Sequence, residues 1–175
     1  FVLPDPFGPW SVNWFASRYE IDLDEAEKDV SEYASIGALF TRKLKPGLRP
    51  IAGSELVHPA DSRLTQAEKI ADGELIQAKG KMYSAADFLQ DEEAAKTFHD
   101  GYFMTYYLCP TDYHRVHCPA DGVVERVVHI PGRLWPVNDW SVDNIDQLFA
   151  VNERMLVYMK DSKGRRFVLV LVGAT

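Results

Sequence analysis

Residues 108–121 read LCPTDYHRVHCPAD, and the rest of the chain is arranged around them. Pro110 and Pro119 bound the stretch and forbid a long helix or an uninterrupted central strand across it. Upstream, Tyr102–Leu108 (YFMTYYL) is aromatic and apolar; downstream, Val123–Ile130 is rich in β-branched residues. Both compositions are those of strands. His114 and His117 therefore fall in a turn between two strands, where a rigid scaffold presents chemistry. Two imidazoles three residues apart, each with an ordinary pKa of about 6.5, suit acid, base or metal-ligand roles.

A chain of 175 residues can bury a core without staples and is expected to form one domain with a small appendage. Its 46% hydrophobic and 12% aromatic content excludes a disordered chain. A net charge of −7 leaves no basic stripe to neutralise phosphates, so no nucleic-acid partner is expected. The one compact basic cluster, Arg42, Lys43, Lys45 and Arg49, follows an apolar helical pattern and suits either a solvated face or an anionic membrane surface. Cys109 and Cys118 are too few for a disulfide framework, and no signal-peptide pattern precedes them, so a reducing cytoplasm is the expectation. The longest apolar run, Phe167–Ala174, is too short to span a bilayer. A start at Phe1 and an end at Thr175, straight after a strand pattern, read as part of a longer product.

The front of the chain, residues 1–50, reads as helical. Pro4 and Pro6 break its start and Pro9 suits a helix N-terminus. Trp10, Trp14 and Phe15 then share one helical face, which fits either the protein's own core or a membrane–water interface. Asp22 is placed to cap a helix opening with Asp24, Glu25 and Glu27, and Ser35 to cap a second one carrying Ile36, Leu39, Phe40 and Leu44. From residue 51 to 175 the texture changes to strands. Candidates are Leu56–His58, Arg63–Ala67, Leu75–Lys79, Tyr102–Leu108, Val123–Ile130, Arg154–Lys160 and Arg166–Val172, with one helix over Ala85–Phe98. Asp72-Gly73 and Ser162-Lys163-Gly164 are turn signals. The fold class is α+β, a helical N-terminal segment followed by a β-rich body. That body carries a short repeat: His58-Pro59-Ala60-Asp61-Ser62 returns sixty positions later as Cys118-Pro119-Ala120-Asp121-Gly122, each copy leading into a strand pattern.

Two constellations carry chemistry. Asp61 can accept a hydrogen bond from His117, fix its tautomer and leave the other nitrogen as a base toward a hydroxyl. No serine in this chain stands in a recognisable nucleophile motif. Alternatively His58, Asp61, His114 and His117 form H-x-x-D and H-x-x-H pairs that could build a hydrolytic zinc site, although histidines at that spacing converge best on a helix.

The string Tyr113-His114-Arg115-Val116-His117-Cys118-Pro119, following Pro110-Thr111-Asp112, closely resembles the D-Y-H-R-V-H-x-P signature of phosphatidylserine decarboxylases. The resemblance continues in order along the chain. Residues 39–51 (LFTRKLKPGLRPI) look like the family's F-F-x-R-x-L-x-x-x-x-R-P-I segment, and 58–61 like its P-A-D-G turn. Residues 78–84 look like its K-G-x-x-Y-S segment, and residues 131–138, 149–154 and 172–175 match further blocks. The resemblance implies a self-processing enzyme that turns phosphatidylserine into phosphatidylethanolamine. An Asp–His–Ser triad cuts the precursor before the serine, which becomes the pyruvoyl group on a small companion chain. That group forms a Schiff base with the serine head group and acts as electron sink while CO₂ leaves. The matching positions are Asp61 and His117, with the serine expected beyond residue 175, since Ala174 in Gly173-Ala174-Thr175 has no hydroxyl. His114 is the neighbour for substrate contact or protonation. Ser62 replaces the family's glycine, which would strain the turn by roughly 1 kcal/mol if φ is positive there. A lipid substrate also implies peripheral attachment to the cytoplasmic side of the cell membrane, through Trp10, Trp14 and Phe15 with Arg42, Lys43 and Lys45. The expected partners are the small pyruvoyl chain and the lipid surface, with a homodimer of the two-chain unit as a further expectation.

Overall fold

The computed structural model describes residues 7–78 and 81–175. Pro4 and Pro6, and Lys79-Gly80 of the K-G-x-x-Y-S match, lie outside these. The elements are α1 (Phe7–Arg18), α2 (Ile36–Phe40), β1 (Arg63–Lys69), β2 (Glu74–Ala78), β3 (Lys81–Ser84), α3 (Ala85–Leu89), α4 (Glu92–Phe98), β4 (Tyr102–Tyr107), β5 (Gly122–Ile130), α5 (Asp139–Asn144), α6 (Leu148–Val151), β6 (Arg154–Asp161) and β7 (Arg166–Val172). The mixture of helices and antiparallel sheets is an α+β fold.

The chain divides into two compact units, residues 1–65 with 105–120 and residues 66–104 with 121–175. The chain crosses from one to the other within β1 and back within β4.

The first unit has a small core of Val12, Ala16, Ile21, Tyr33 and Leu39, contributed by α1, α2 and the chain between them. Ser35 caps α2 as its position suggested, its Oγ accepting from the Ala38 N–H at 3.1 Å. The helix expected to open at Asp24 does not form. Asp22 instead closes a tight turn, accepting from the Asp24 N–H at 2.9 Å. The acids that would suit a helix start are overruled by long-range pairing: Lys45 N–H donates to Glu25 O and Glu27 N–H to Lys43 O, both at 2.9 Å. That pairing tucks Ala26 away at 1% exposure.

In the second unit β5, β6 and β7 form an antiparallel sheet in that order, β6 and β7 joined across the Ser162-Lys163-Gly164 turn. Asp161 stabilises the turn by accepting from the Lys163 and Arg165 N–H groups. Its outermost pair begins at Gly122, where an added Cβ would lie 2.3 Å from Lys160 O. Glycine is required there by close approach, since its φ is not left-handed. Leu89, Ile130, Leu156 and Tyr158 form one core cluster, and Ile70, Leu75, Tyr83 and Ala85 a second. The helix expected over residues 85–98 is two helices. Gln90 takes a left-handed φ of 48° and Asp91 caps α4 by accepting from the Ala94 N–H at 3.0 Å. The strand expected over Leu56–His58 does not form, while β3, α5 and α6 were not anticipated.

Three buried polar side chains hold this unit together. Gln77 donates to Val142 O and Ile145 O and accepts from the Leu148 N–H. Arg154, 1% exposed, spends its guanidinium on the carbonyls of Asp87, Phe88, Ala150 and Asn152. Asn152, fully buried, accepts from the Trp135 N–H and donates to Trp135 O and Gly173 O, so it ties the end of β7 to the 131–138 segment. Each pairs buried polar atoms that would otherwise be costly.

Candidate active site

The histidine turn begins where β4 ends. Asp112 closes it, its carboxylate accepting from the Cys109 N–H at 2.7 Å while its own N–H donates to Cys109 O. The chain around α2 holds the turn from the other side. Arg42 Nη2 donates to Thr111 O at 3.0 Å, and Arg115 Nε donates to Thr41 O at 3.0 Å. Arg42 is only 3% exposed, and burial pushes its pKa below the ordinary arginine range. This corrects its expected place in a basic surface cluster: the guanidinium props up the histidine turn. Lys45 donates to Asp24 O at 2.7 Å, and Arg49 is ion-paired, which further breaks up that cluster.

His114 is half-buried, its ring 3.8 Å from that of Phe40. Its Nδ1 lies 2.9 Å from Asp112 O. A carbonyl only accepts, so Nδ1 carries the proton and Nε2 keeps its lone pair. Burial, with a smaller push from the Arg42 charge, lowers its pKa below 6.5, partly offset by the bond to Asp112. The neutral imidazole is favoured.

His117 is exposed. Its ring stacks on buried Tyr113 with 5.6 Å between centroids, and its Nε2 lies 3.2 Å from the Tyr113 hydroxyl. Its backbone N–H donates to Pro59 O at 2.7 Å, and Val57 N–H donates to Pro119 O at 2.9 Å. Under the sixty-residue offset these two bonds are images of each other, so the two Pro-Ala-Asp segments are sewn together reciprocally beside Asp61.

Asp61 is bonded to Arg49, whose Nε donates to Oδ2 at 2.5 Å, in place of the anticipated bond to His117. Ser62 has no left-handed φ, so the expected strain at the missing glycine is absent; its hydroxyl donates to Ala60 O. His58 Nδ1 pairs with the Tyr106 hydroxyl at 2.9 Å. The zinc arrangement of His58, Asp61, His114 and His117 is not assembled: among the described residues no three His, Cys, Asp or Glu side chains converge as a metal site. Arg49, Phe40 and Tyr113 were not singled out from sequence as parts of the site. Arg49 had a signal, since it stands at the second arginine of the F-F-x-R-x-L-x-x-x-x-R-P-I match.

On α1, Trp10 and Trp14 are 65% and 52% exposed. Phe15 parts from them. It packs on the first unit's core, 4.7 Å from the Tyr19 ring and 6.2 Å from Phe40. Among the described residues no helix is long and apolar enough to cross a membrane.

This arrangement of carboxylate, arginine and two differently placed imidazoles lies within residues 36–175, which match the sequence profile of the phosphatidylserine decarboxylase family. The chain belongs to that family. It is 42% identical over 99% of its length to the phosphatidylserine decarboxylase proenzyme of Myxococcus xanthus. Identities to the proenzymes of Chromobacterium violaceum and Vibrio parahaemolyticus are 43% and 45%, each over 94% of this chain. The chain spans 62%, 60% and 59% of those three relatives respectively.

Proposed function

We propose that this chain is the larger, β chain of a self-processing phosphatidylserine decarboxylase, a carboxy-lyase of phospholipid biosynthesis. The observation that carries this reading is the family match over 36–175 together with the site inside it: Asp61 held by an arginine, His117 exposed beside the Asp61 turn, and His114 neutral with its Nε2 making no hydrogen bond among the described residues. The relatives' designation as proenzymes supports maturation by cleavage.

In this reading His117 takes the hydroxyl proton of a serine beyond residue 175, and Asp61 orients and balances the imidazolium that forms. The relatives' designation as proenzymes supports a pyruvoyl group supplied on a companion small chain. When bound, such a group would supply an electron sink for loss of CO₂ from the substrate. His114, with its proton fixed on Nδ1, contacts substrate or moves a proton through Nε2. The reciprocal bonds across the Pro-Ala-Asp segments support an internally duplicated body over 51–175.

Residues 1–50 form the membrane-association segment of the same reading, attached peripherally to the cytoplasmic side of the cell membrane. Its supports are the exposed Trp10 and Trp14, whose amphipathic rings suit a lipid interface. Phe15 and Arg42 drop out of this anchor because both serve the protein's interior. Trp10→Ala with Trp14→Ala lowers binding to phosphatidylserine vesicles and leaves cleavage intact; unchanged vesicle binding removes the anchor. A homodimer of the two-chain unit belongs to the same proposal.

Intact mass spectrometry of the full-length product tests the central claim. The expected result is two polypeptides, the smaller with an N-terminal residue weighing as pyruvoyl, and a single uncut chain for Asp61→Asn. A wild-type product that stays whole, or an Asp61→Asn product cut like wild type, overturns it.

A further inference from the structure

Arg49 sits in the left-handed region with φ of 57°, although it is not glycine. Non-glycine residues persist there when their surroundings over-determine them. The surroundings here are two carboxylates. Nη1 and Nη2 donate to Glu25 Oε1 and Oε2 at 2.9 and 2.7 Å, and Nε donates to Asp61 Oδ2 at 2.5 Å. Glu25 is itself fixed by the backbone bond from Lys45 N–H to its carbonyl.

An exposed arginine–carboxylate pair ordinarily contributes little. Three features set this one apart. The contact to Glu25 is a two-pronged fork, which fixes the plane of the guanidinium. The backbone of Arg49 is held in a disfavoured conformation to deliver it. The second carboxylate is the one the proposed self-processing reaction requires. Among the described residues, Asp61 Oδ1 and His117 Nδ1 are both left without a hydrogen bond, while Asp61 Oδ2 and His117 Nε2 are occupied.

We propose that Arg49, braced by Glu25, is a positioning residue for self-processing: it occupies one oxygen of Asp61 and thereby holds the carboxylate with its other oxygen free for the histidine. The inference rests on the reading of Asp61 and His117 given above. Arg49 touches no reacting atom. It acts through Asp61, and Glu25 acts through Arg49. The residues facing Arg49 are charged oppositely on both sides, and the pairing holds the Glu25 carboxyl below the usual carboxylate range.

The test follows self-cleavage of the full-length precursor over time in wild type, Asp61→Asn, Arg49→Ala, Arg49→Lys and Glu25→Gln, with thermal unfolding as a check on folding. Arg49→Ala is expected to cleave roughly 100-fold more slowly, the scale of a misplacement by about 1 Å. Methylguanidinium added at sub-denaturing concentration restores cleavage of Arg49→Ala in a dose-dependent way and does nothing for Asp61→Asn. Arg49→Lys and Glu25→Gln fall between wild type and Arg49→Ala, because a point charge lacks the fork and an unbraced fork swings. A folded Arg49→Ala that cleaves at the wild-type rate overturns the inference, as does a slow Arg49→Ala indifferent to methylguanidinium. If Arg49→Ala fails to fold, Glu25→Gln decides: slowed cleavage supports positioning and wild-type cleavage sinks it. Failure of the underlying reading looks different, with wild type uncut or Asp61→Asn cut normally.

Discussion

Pro59-Ala60-Asp61 and Pro119-Ala120-Asp121 each lead into a strand, β1 and β5, and their flanking backbones bond to each other reciprocally. Their surroundings differ. Asp61 is drawn into a Glu25–Arg49–Asp61 chain, whereas Asp121 is exposed and makes no hydrogen bond among the described residues. The residue after each aspartate differs as well: Ser62 has room for its hydroxyl to reach Ala60 O, while Gly122 is pressed against the β6 backbone. One copy of the turn has been given to polar chemistry and the other to sheet packing. Shared residues therefore say where a turn is, and the neighbours say what it does.

The largest expected effect separates the two aspartates. Asp61→Asn slows self-cleavage of the precursor by roughly 100- to 10,000-fold, the usual contribution of an oriented base. Asp121→Asn leaves the rate unchanged. Equal effects, read by time-resolved gel analysis, would dissolve the distinction between the turns.

Next comes Gly122→Ala. The added methyl meets Lys160 O at 2.3 Å and Asp161 Cα at 2.9 Å, so β5 must move off β6. A loss of about 1–3 kcal/mol is expected, the range for forced overpacking. Urea unfolding measures it, and a loss within error would mean that the close approach relaxes freely.

The third sharpens the contrast between the arms preceding the turns, since Ser54 stands sixty positions before His114 and carries no titratable group near neutrality. Burial lowers the folded-state pKa of His114 below its ordinary 6.5. The unfolded chain then binds more protons in the window below about pH 6.5, so this contribution to stability is present above the window and lost as pH falls through it. His114→Gln should flatten the acid side of the urea-midpoint profile. A profile that keeps its slope assigns the loss to other groups.

The smallest effect belongs to Ser62→Gly. With no left-handed φ to relieve, restoring the glycine of the family pattern is expected to destabilise by less than about 1 kcal/mol through unfolded-state entropy. A gain in stability would mean that the serine is strained after all.

The β-rich body was legible because β-branched and aromatic runs such as Val123–Ile130 and Arg166–Val172 are bounded by clear turn signals. Those strands formed within a residue of their expected ends. At the front end α1 and α2 form as expected, and only the helix expected at Asp24 is missing, because backbone pairing between residues 25–27 and 43–45 overrode the helix-favouring acids. The break at Gln90 was hidden for a related reason. Its αL conformation is unusual for glutamine and leaves no mark in the sequence, although Asp91 after it is a good cap. In the proposed site, residue type, spacing and the family resemblance singled out Asp61, His114 and His117. What holds them was not legible: Arg49 approaches Asp61 and Glu25 through space, and an arginine among lysines reads as a solvated charge until its partners are known.

The reciprocal seam between the two turns also bears on the order of events in folding. The β6–β7 hairpin closes over a handful of residues, whereas joining Val57 to Pro119 and His117 to Pro59 closes a loop of about sixty. Loop entropy makes the longer closure costlier by about 2 kcal/mol. Local hairpins form in microseconds, and distant pairings wait on them. The seam that brings His117 beside the Asp61 turn is thus a late arrival. A chain caught before it closes has its β6–β7 hairpin in place and its histidine still apart from the aspartate, so the proposed site is assembled only after the local structure around it has formed.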